Sequence, residues 1–103
     1  MNSKVLTLLG FAAKAGKLAY GMNACISAVY SKKSKLVLVC CDISEKSKKE
    51  IAYHCSKADA EIKILGDCDI QTVSNAVGRK CGMISVNDSS FAEAVNKIMG
   101  GNA

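Results

Sequence analysis

The chain has 103 residues, 50% of them hydrophobic, with three tyrosines and two phenylalanines, no tryptophan or proline, and a formal charge of +5. That length makes one domain with an aliphatic core, spanning residues 1–103, and the hydrophobic share excludes wholesale disorder. Scarce aromatics and absent proline argue against a propeller, an immunoglobulin-like sandwich or a proline-rich ligand.

Ser3 is placed to cap a first helix in which Val5, Leu8, Leu9 and Ala12 recur at i, i+3, i+4 and i+7. Leu6 and Phe11 widen its stripe and Gly16 stops it. Gly10 to Lys17 does not make a phosphate-binding loop, because five residues separate the glycines and Leu18 stands where Ser or Thr would hold magnesium. Val5 to Ala13 imitates a signal-peptide core, but Lys14 inside the cleavage-like site and a helical repeat running through it argue otherwise. No apolar run is long enough to span a membrane.

Leu18-Ala19-Tyr20 reads as a short edge strand, broken at Gly21 before a helix with Met22, Ile26, Val29 and Tyr30 on one face. Asn23, near that helix's amino end, is expected to cap it, with ligand contact as the second reading. A lysine-rich turn then leads into Leu36 to Cys41, six uninterrupted apolar residues that predict a strand buried on both faces. Asp42 and Ser44 can cap the next helix, Glu45 to Lys57, which turns Ile51, Ala52 and Cys55 inward and Lys46 and Lys49 outward.

Glu61 to Leu65 is the next strand, and Gly66-Asp67 its turn. Asp69 caps a short helix with Ile70, Val73 and Val77 inside and Gly78 as its end. The basic loop Arg79-Lys80-Cys81-Gly82 precedes the last strand, Met83 to Val86. Ser90 and Glu93 have capping-box spacing for a final helix burying Phe91, Val95, Ile98 and Met99 and ending at Gly100-Gly101. Alternating helices and strands imply a single-domain α/β fold, a three-layer α/β/α sandwich around a mixed sheet of about four strands.

Charge is unevenly spread. Residues 1–57 carry ten lysines against Asp42, Glu45 and Glu50, whereas residues 58–103 carry four basic and six acidic groups. A polyanionic partner on the face built by the first half accounts for this asymmetry, as does a lysine face kept for solubility.

Catalytic constellations are poor. His54 and Cys55 are helix neighbours pointing about 100° apart, so adjacency makes no nucleophile-base pair, and His54 reads as a surface residue. Asp67 and Asp69 are explained by a turn and a cap. The six cysteines sit mostly in periodic apolar segments, without CxxC or Cys/His zinc spacing, and look like small core residues of a reduced, cytoplasmic protein. Burial raises a thiol's pKa, which disfavours a redox role for Cys40 and Cys41. No metal or cofactor is expected.

The binding features are more coherent. Gly21-Met22-Asn23 and Asp42-Ile43-Ser44 are strand-to-helix junctions whose free N–H groups suit phosphates or base edges, with lysines close to both. No stacking platform of exposed aromatics is evident, so the single-strand modes of other RNA-binding folds are not indicated.

Leu9-Gly10-Phe11-Ala12-Ala13-Lys14-Ala15-Gly16-Lys17-Leu18, then Gly21, Lys35 to Val39 with Asp42-Ile43-Ser44, and Ala76-Val77-Gly78 follow one another in a familiar order. Over nearly its whole length the chain resembles the bacterial YlxQ branch of the kink-turn-binding ribosomal protein family, the L-seven-Ae type. The opening block is the most specific part of the resemblance.

That resemblance implies an α/β/α sandwich binding RNA kink-turns, bends in which sheared G·A pairs lie beside a short bulge. It places Gly21, Met22 and Asn23 at the G·A pairs, Ser44 and Lys48 nearby, and Val77, Gly78, Arg79 and Lys80 against the bulge. Lys17, Lys46 and Lys48 would meet phosphates, and Asn23 would carry discrimination. Relatives usually have Glu after the Asn and Lys three positions beyond it, where this chain has Ala24 and Ser27, and Val73-Ser74 replaces their Leu-Gly. A monomeric, non-enzymatic binder of ribosomal or other kink-turn RNA is the expectation. A protein-interaction adaptor on the same scaffold is the alternative, suggested by the absent Glu and Lys.

Overall fold

Local chemistry decides where each element starts and stops. In the computed structural model, which describes residues 3–100, helix α1 spans Ser3–Lys14 and buries Val5, Leu9 and Ala12, while Leu8 is half-buried. Ser3 already lies inside the helix, its carbonyl accepting from the Thr7 hydroxyl at 2.9 Å, so it is not the predicted cap. At the far end the N–H groups of Gly16 and Lys17 fold back to the carbonyls of Ala13 and Ala12 at 3.1 and 3.0 Å, satisfying acceptors the helix leaves open.

Strand β1 (Leu18–Tyr20) and helix α2 (Met22–Tyr30) follow. The face α2 buries is Cys25, Ala28 and Val29, flanked by Met22 and Ile26; Tyr30, predicted on it, points outward. Strand β2 (Leu36–Cys40) is buried at every position, one residue shorter than predicted because Cys41 opens a turn. Helix α3 (Glu45–Ala58) buries Ile51, Cys55 and Ala58 but leaves Ala52 exposed. Strand β3 (Ile62–Leu65) and helix α4 (Ile70–Val77) lie as expected, with Asp69 accepting from the Thr72 N–H at 2.8 Å. That bond holds the Asp69 carboxyl below the usual carboxylate range.

Strand β4 (Met83–Val86) is fully buried and leads to helix α5 (Ser89–Met99). Asp88, not Ser90, caps α5, accepting from the Phe91 N–H at 3.0 Å. The chain enters this helix two residues earlier than the Ser90-to-Glu93 spacing suggests, so Ser90 is already helical. Gly100 ends α5; Gly101, predicted beside it, lies outside the described residues.

The strands form one sheet in the order β1-β4-β2-β3. β2 runs parallel to β3 and antiparallel to β4, which in turn pairs antiparallel with β1, so the sheet is mixed. Alternation along β2 divides the core. Leu36, Leu38 and Cys40 join Val5, Leu9, Val73, Ile84 and Val95 on the side of α1, α4 and α5. Val37 and Val39 join Cys25, Val29, Ile51 and Cys55 on the side of α2 and α3. The predicted three-layer α/β/α sandwich is therefore the observed fold. Ser85 is the one buried polar side chain among the described residues, and its hydroxyl donates to Asn87 Oδ1 at 2.6 Å.

Leu38 is 1% exposed at the centre of the larger cluster. Leu38→Ala is expected to destabilise the fold by about 2–5 kcal/mol, read as a lowered urea midpoint with unchanged slope.

Candidate nucleic-acid interface

Strand directions bring four junctions to one edge of the sheet. The carboxyl ends of β2 and β3 lie side by side, since Cys40 pairs with Leu65. The amino end of β4 is there too, with Met83 opposite Val39, and so is the carboxyl end of β1, with Tyr20 opposite Ile84. Gly21-Met22-Asn23, Cys41 to Ser44, Gly66 to Asp69 and Gly78 to Gly82 therefore share one rim.

Hydrogen bonds stitch that rim together. The Gly21 N–H donates to the Met83 carbonyl at 3.1 Å, the Cys40 N–H to Gly82 at 3.0 Å and the Cys41 N–H to Cys68 at 3.0 Å. Asp42, expected to cap α3, instead accepts from the Ile70 N–H at 2.9 Å, capping α4 across 28 residues of sequence. Ser44 alone caps α3, accepting from the Ser47 N–H at 3.1 Å. A Cβ on Gly82 would stand 2.8 Å from Ile43 Cγ2, so only glycine lets the basic loop approach this close. The Ser74 hydroxyl accepts from the Cys81 N–H at 3.1 Å and donates to its carbonyl at 3.4 Å, clasping the loop to α4.

Gly21 sets the first junction. Its φ of 89° and ψ of 169° fall in a region open essentially to glycine alone, and the turn they make starts α2 without any side-chain cap. The opening N–H groups of α2 therefore have no side-chain cap among the described residues and face the rim as donors for a ligand. Asn23 is the second residue of the helix rather than its cap: it is exposed, and its amide has no hydrogen-bond partner among the described residues. The predicted capping role is thus overturned, because Gly21 occupies the cap position.

The other predicted residues divide into three groups. Arg79 and Lys80 are exposed in the loop after Gly78, and the Arg79 guanidinium lies 4.7 Å from the centre of the Tyr20 ring. This cation–π contact holds the loop beside Gly21. Ser27 is exposed one turn beyond Asn23, and Lys46 is exposed in the first turn of α3. Met22, Val77 and Lys48 are committed inward: Met22 and Val77 pack on the cores, and Lys48 Nζ donates to the Cys41 carbonyl at 3.2 Å and to Glu45 at 3.4 Å. Lys17 stands apart, at the end of β1 remote from Gly21, where its carbonyl accepts from the Asn87 N–H at 2.8 Å.

Two features escaped the sequence reading. Tyr20 anchors Arg79, and burial pushes its phenol up, followed by Cys81, against a smaller opposing pull from Arg79. An open depression of 680 Å³ beside the loop is lined by Asp42, Gln71, Ser74, Asn75, Arg79 and Lys80. The i, i+3, i+4 polar stripe Gln71, Ser74 and Asn75 on α4 was its available signal.

Elsewhere, the described residues hold no group of three or more His, Cys, Asp or Glu suited to a metal ion. Five of the six cysteines are buried, leaving Cys41 half-exposed. Burial pushes the Cys25 and Cys40 thiols up to about 12. Among the described residues, no helix is long and apolar enough to cross a membrane.

A sheet sandwiched by helices, with the uncapped start of α2, the exposed Asn23 amide and a basic loop gathered on one rim, defines a scaffold suited to polyanions. Residues 3–95 match the model of the Ribosomal protein L7Ae/L30e/S12e/Gadd45 family, and the chain belongs to that family. It is 26% identical over 101 residues to the RNA-binding protein YlxQ of Enterococcus faecium, covering 97% of this chain and 95% of that one, and is a YlxQ-like member. Among solved structures, a protein with unknown function from Bacillus halodurans is similar with a TM-score of 0.89 and 27% identity, over 96% of this chain and 99% of that chain. The Giardia lamblia 15.5kD RNA binding protein shares the fold, with a TM-score of 0.75 and 16% identity over 96% of this chain and 84% of that one.

Gly21→Ala is expected to cost about 1–3 kcal/mol through backbone strain alone, measured by chemical denaturation. A second expectation concerns the thiols: in native protein a thiol reagent modifies Cys41 rapidly and the five buried cysteines slowly, and denaturant exposes all six.

Proposed function

We propose that this chain is a non-enzymatic, cytoplasmic RNA-binding protein that acts as a monomer and recognises kink-turn or related structured RNA, ribosomal RNA being the leading partner. Asn23 carries the reading. An exposed amide without a hydrogen-bond partner among the described residues, on an uncapped helix end and beside a basic loop, is poised to meet base edges while nearby lysines and Arg79 meet phosphates. Family membership and the RNA-binding relative from Enterococcus faecium support it.

Within this reading Gly21 gives the RNA close access to the backbone, Ser44 and Lys48 form the facing wall, and Val77 to Lys80 pack against unpaired nucleotides. Lys46 and Lys17 add phosphate contacts, Lys17 from the other end of β1. Ala24 is half-buried and Ser27 is short, so the two polar contacts usual in kink-turn readers are missing. Weaker or more relaxed recognition follows, since a bidentate base contact is typically worth about 1–3 kcal/mol. Those same absences motivate the adaptor alternative, in which partners survive ribonuclease treatment.

In an electrophoretic shift, the chain is expected to prefer a kink-turn RNA over a plain duplex of equal length; equal affinity would sink structure-specific recognition. Asn23→Ala should weaken kink-turn binding by about tenfold, the equivalent of about 1.4 kcal/mol. Thermal stability should not change, because the exposed Asn23 amide has no hydrogen-bond partner among the described residues.

A further inference from the structure

Helices α2 and α3 bring together an aromatic group about two helical turns from the rim. The Tyr30 hydroxyl and His54 Nδ1 share a hydrogen bond of 2.8 Å, and the two rings meet edge-on with centroids 5.5 Å apart. Tyr53 meets the same imidazole edge-on at 5.2 Å, and Lys57 Nζ lies 5.7 Å from the centre of the Tyr53 ring. His54 is therefore not the solitary surface residue its sequence position suggests. Tyr30 is 46% and Tyr53 57% exposed, so neither ring is used to build the core. Scattered surface aromatics need no explanation, but three rings held together by a hydrogen bond and edge contacts form a fixed platform.

Its surroundings are basic. Lys46, Tyr53 and Lys57 recur at seven and four residues on the outer face of α3, and Lys49 sits one turn before Tyr53. Lys33 is exposed just beyond α2, which contains no acidic residue; Glu50 is the exposed carboxylate on this stretch of α3. On α2, Asn23, Ser27 and Tyr30 fall at i, i+4 and i+7 and all are exposed, so one solvent-facing line runs from the candidate site to the aromatic platform. Seven residues of helix cover about 10 Å, or roughly three stacked nucleotides at about 3.4 Å each.

We infer that Tyr30, His54 and Tyr53, rimmed by Lys49 and Lys57, form a second RNA-contact site that stacks an unpaired base of a single-stranded segment leaving the Asn23 rim. Base stacking on an aromatic side chain tolerates any sequence, and the lysines supply the matching phosphate charge. The connection to Asn23 rests on the RNA-binding reading above, whereas stacking by the platform does not depend on kink-turn recognition.

The test uses fluorescence anisotropy with the full chain and three labelled RNAs: a blunt-ended kink-turn, the same kink-turn with a six-nucleotide adenosine tail, and a free ten-nucleotide oligoadenylate. The tail should raise affinity about tenfold, and Tyr53→Ala should remove that gain while leaving blunt kink-turn affinity unchanged. Lys57→Ala should reduce the gain, and Asn23→Ala should weaken both kink-turn RNAs. Circular dichroism should show both α3 variants folded, as expected for side chains that face solvent.

Oligoadenylate binding that depends on Tyr53, without kink-turn preference, would support the platform and overturn the kink-turn reading. Kink-turn binding with no gain from the tail, or a gain that survives Tyr53→Ala, would overturn the platform and leave the kink-turn reading standing. A protein partner that resists ribonuclease but is lost in Tyr53→Ala would also overturn the platform's assignment to RNA.

Discussion

Strand β2 has water on neither face. Each of its five side chains points into one of two apolar clusters, so no polar group can sit along its length without losing its hydrogen bonds. Chemistry is thereby displaced to the strand's ends and to the outer faces of the helices that cover it. At the carboxyl end the backbone meets three other junctions, and the sheet's mixed topology decides which ones: parallel pairing with β3 and antiparallel pairing with β4 place the loop after Cys40 between Gly66 to Asp69 and Gly78 to Gly82. Both the rim and the helix-borne aromatic platform lie outside the apolar clusters that enclose β2.

Elements governed by neighbours in sequence were legible. The apolar run marked β2 because its first five residues, Leu36 to Cys40, are buried on both faces, and Asp69 and Gly78 bracketed α4 because a cap and a terminator act within one turn. Interactions across the sheet were not. Asp42 lies two residues before the Ser44 cap of α3, yet the parallel partner strand delivers the amino end of α4 to its carboxylate. The same reason hid the aromatic platform, since Tyr30 and His54 are 24 residues apart on helices whose packing no local periodicity reports. Asp88 displaced Ser90 as a cap because two acceptors compete near one helix start, and spacing alone does not rank them.

At the candidate site, the residue types were readable and their obligations were not. Asn23 looked like a cap because amides near helix starts usually are; Gly21 took that place through a backbone conformation invisible in composition. Lys48 looked like a free cation, but the Cys41 carbonyl and Glu45 hold it. Ser74 has a clear occupation: its hydroxyl grips both backbone groups of Cys81. Two hydrogen bonds made by one hydroxyl thus restrain the basic loop.

That grip has a consequence for how a ligand is met. With Ser74 at one end, Gly82 pressed on Ile43, and Arg79 over the Tyr20 ring, the loop is already settled before anything binds. Little protein entropy is left to lose on association, so the burden of adjustment falls on the ligand. A flexible strand would be moulded against this rim, and one whose own folding has preset the right curvature would arrive with most of the ordering done.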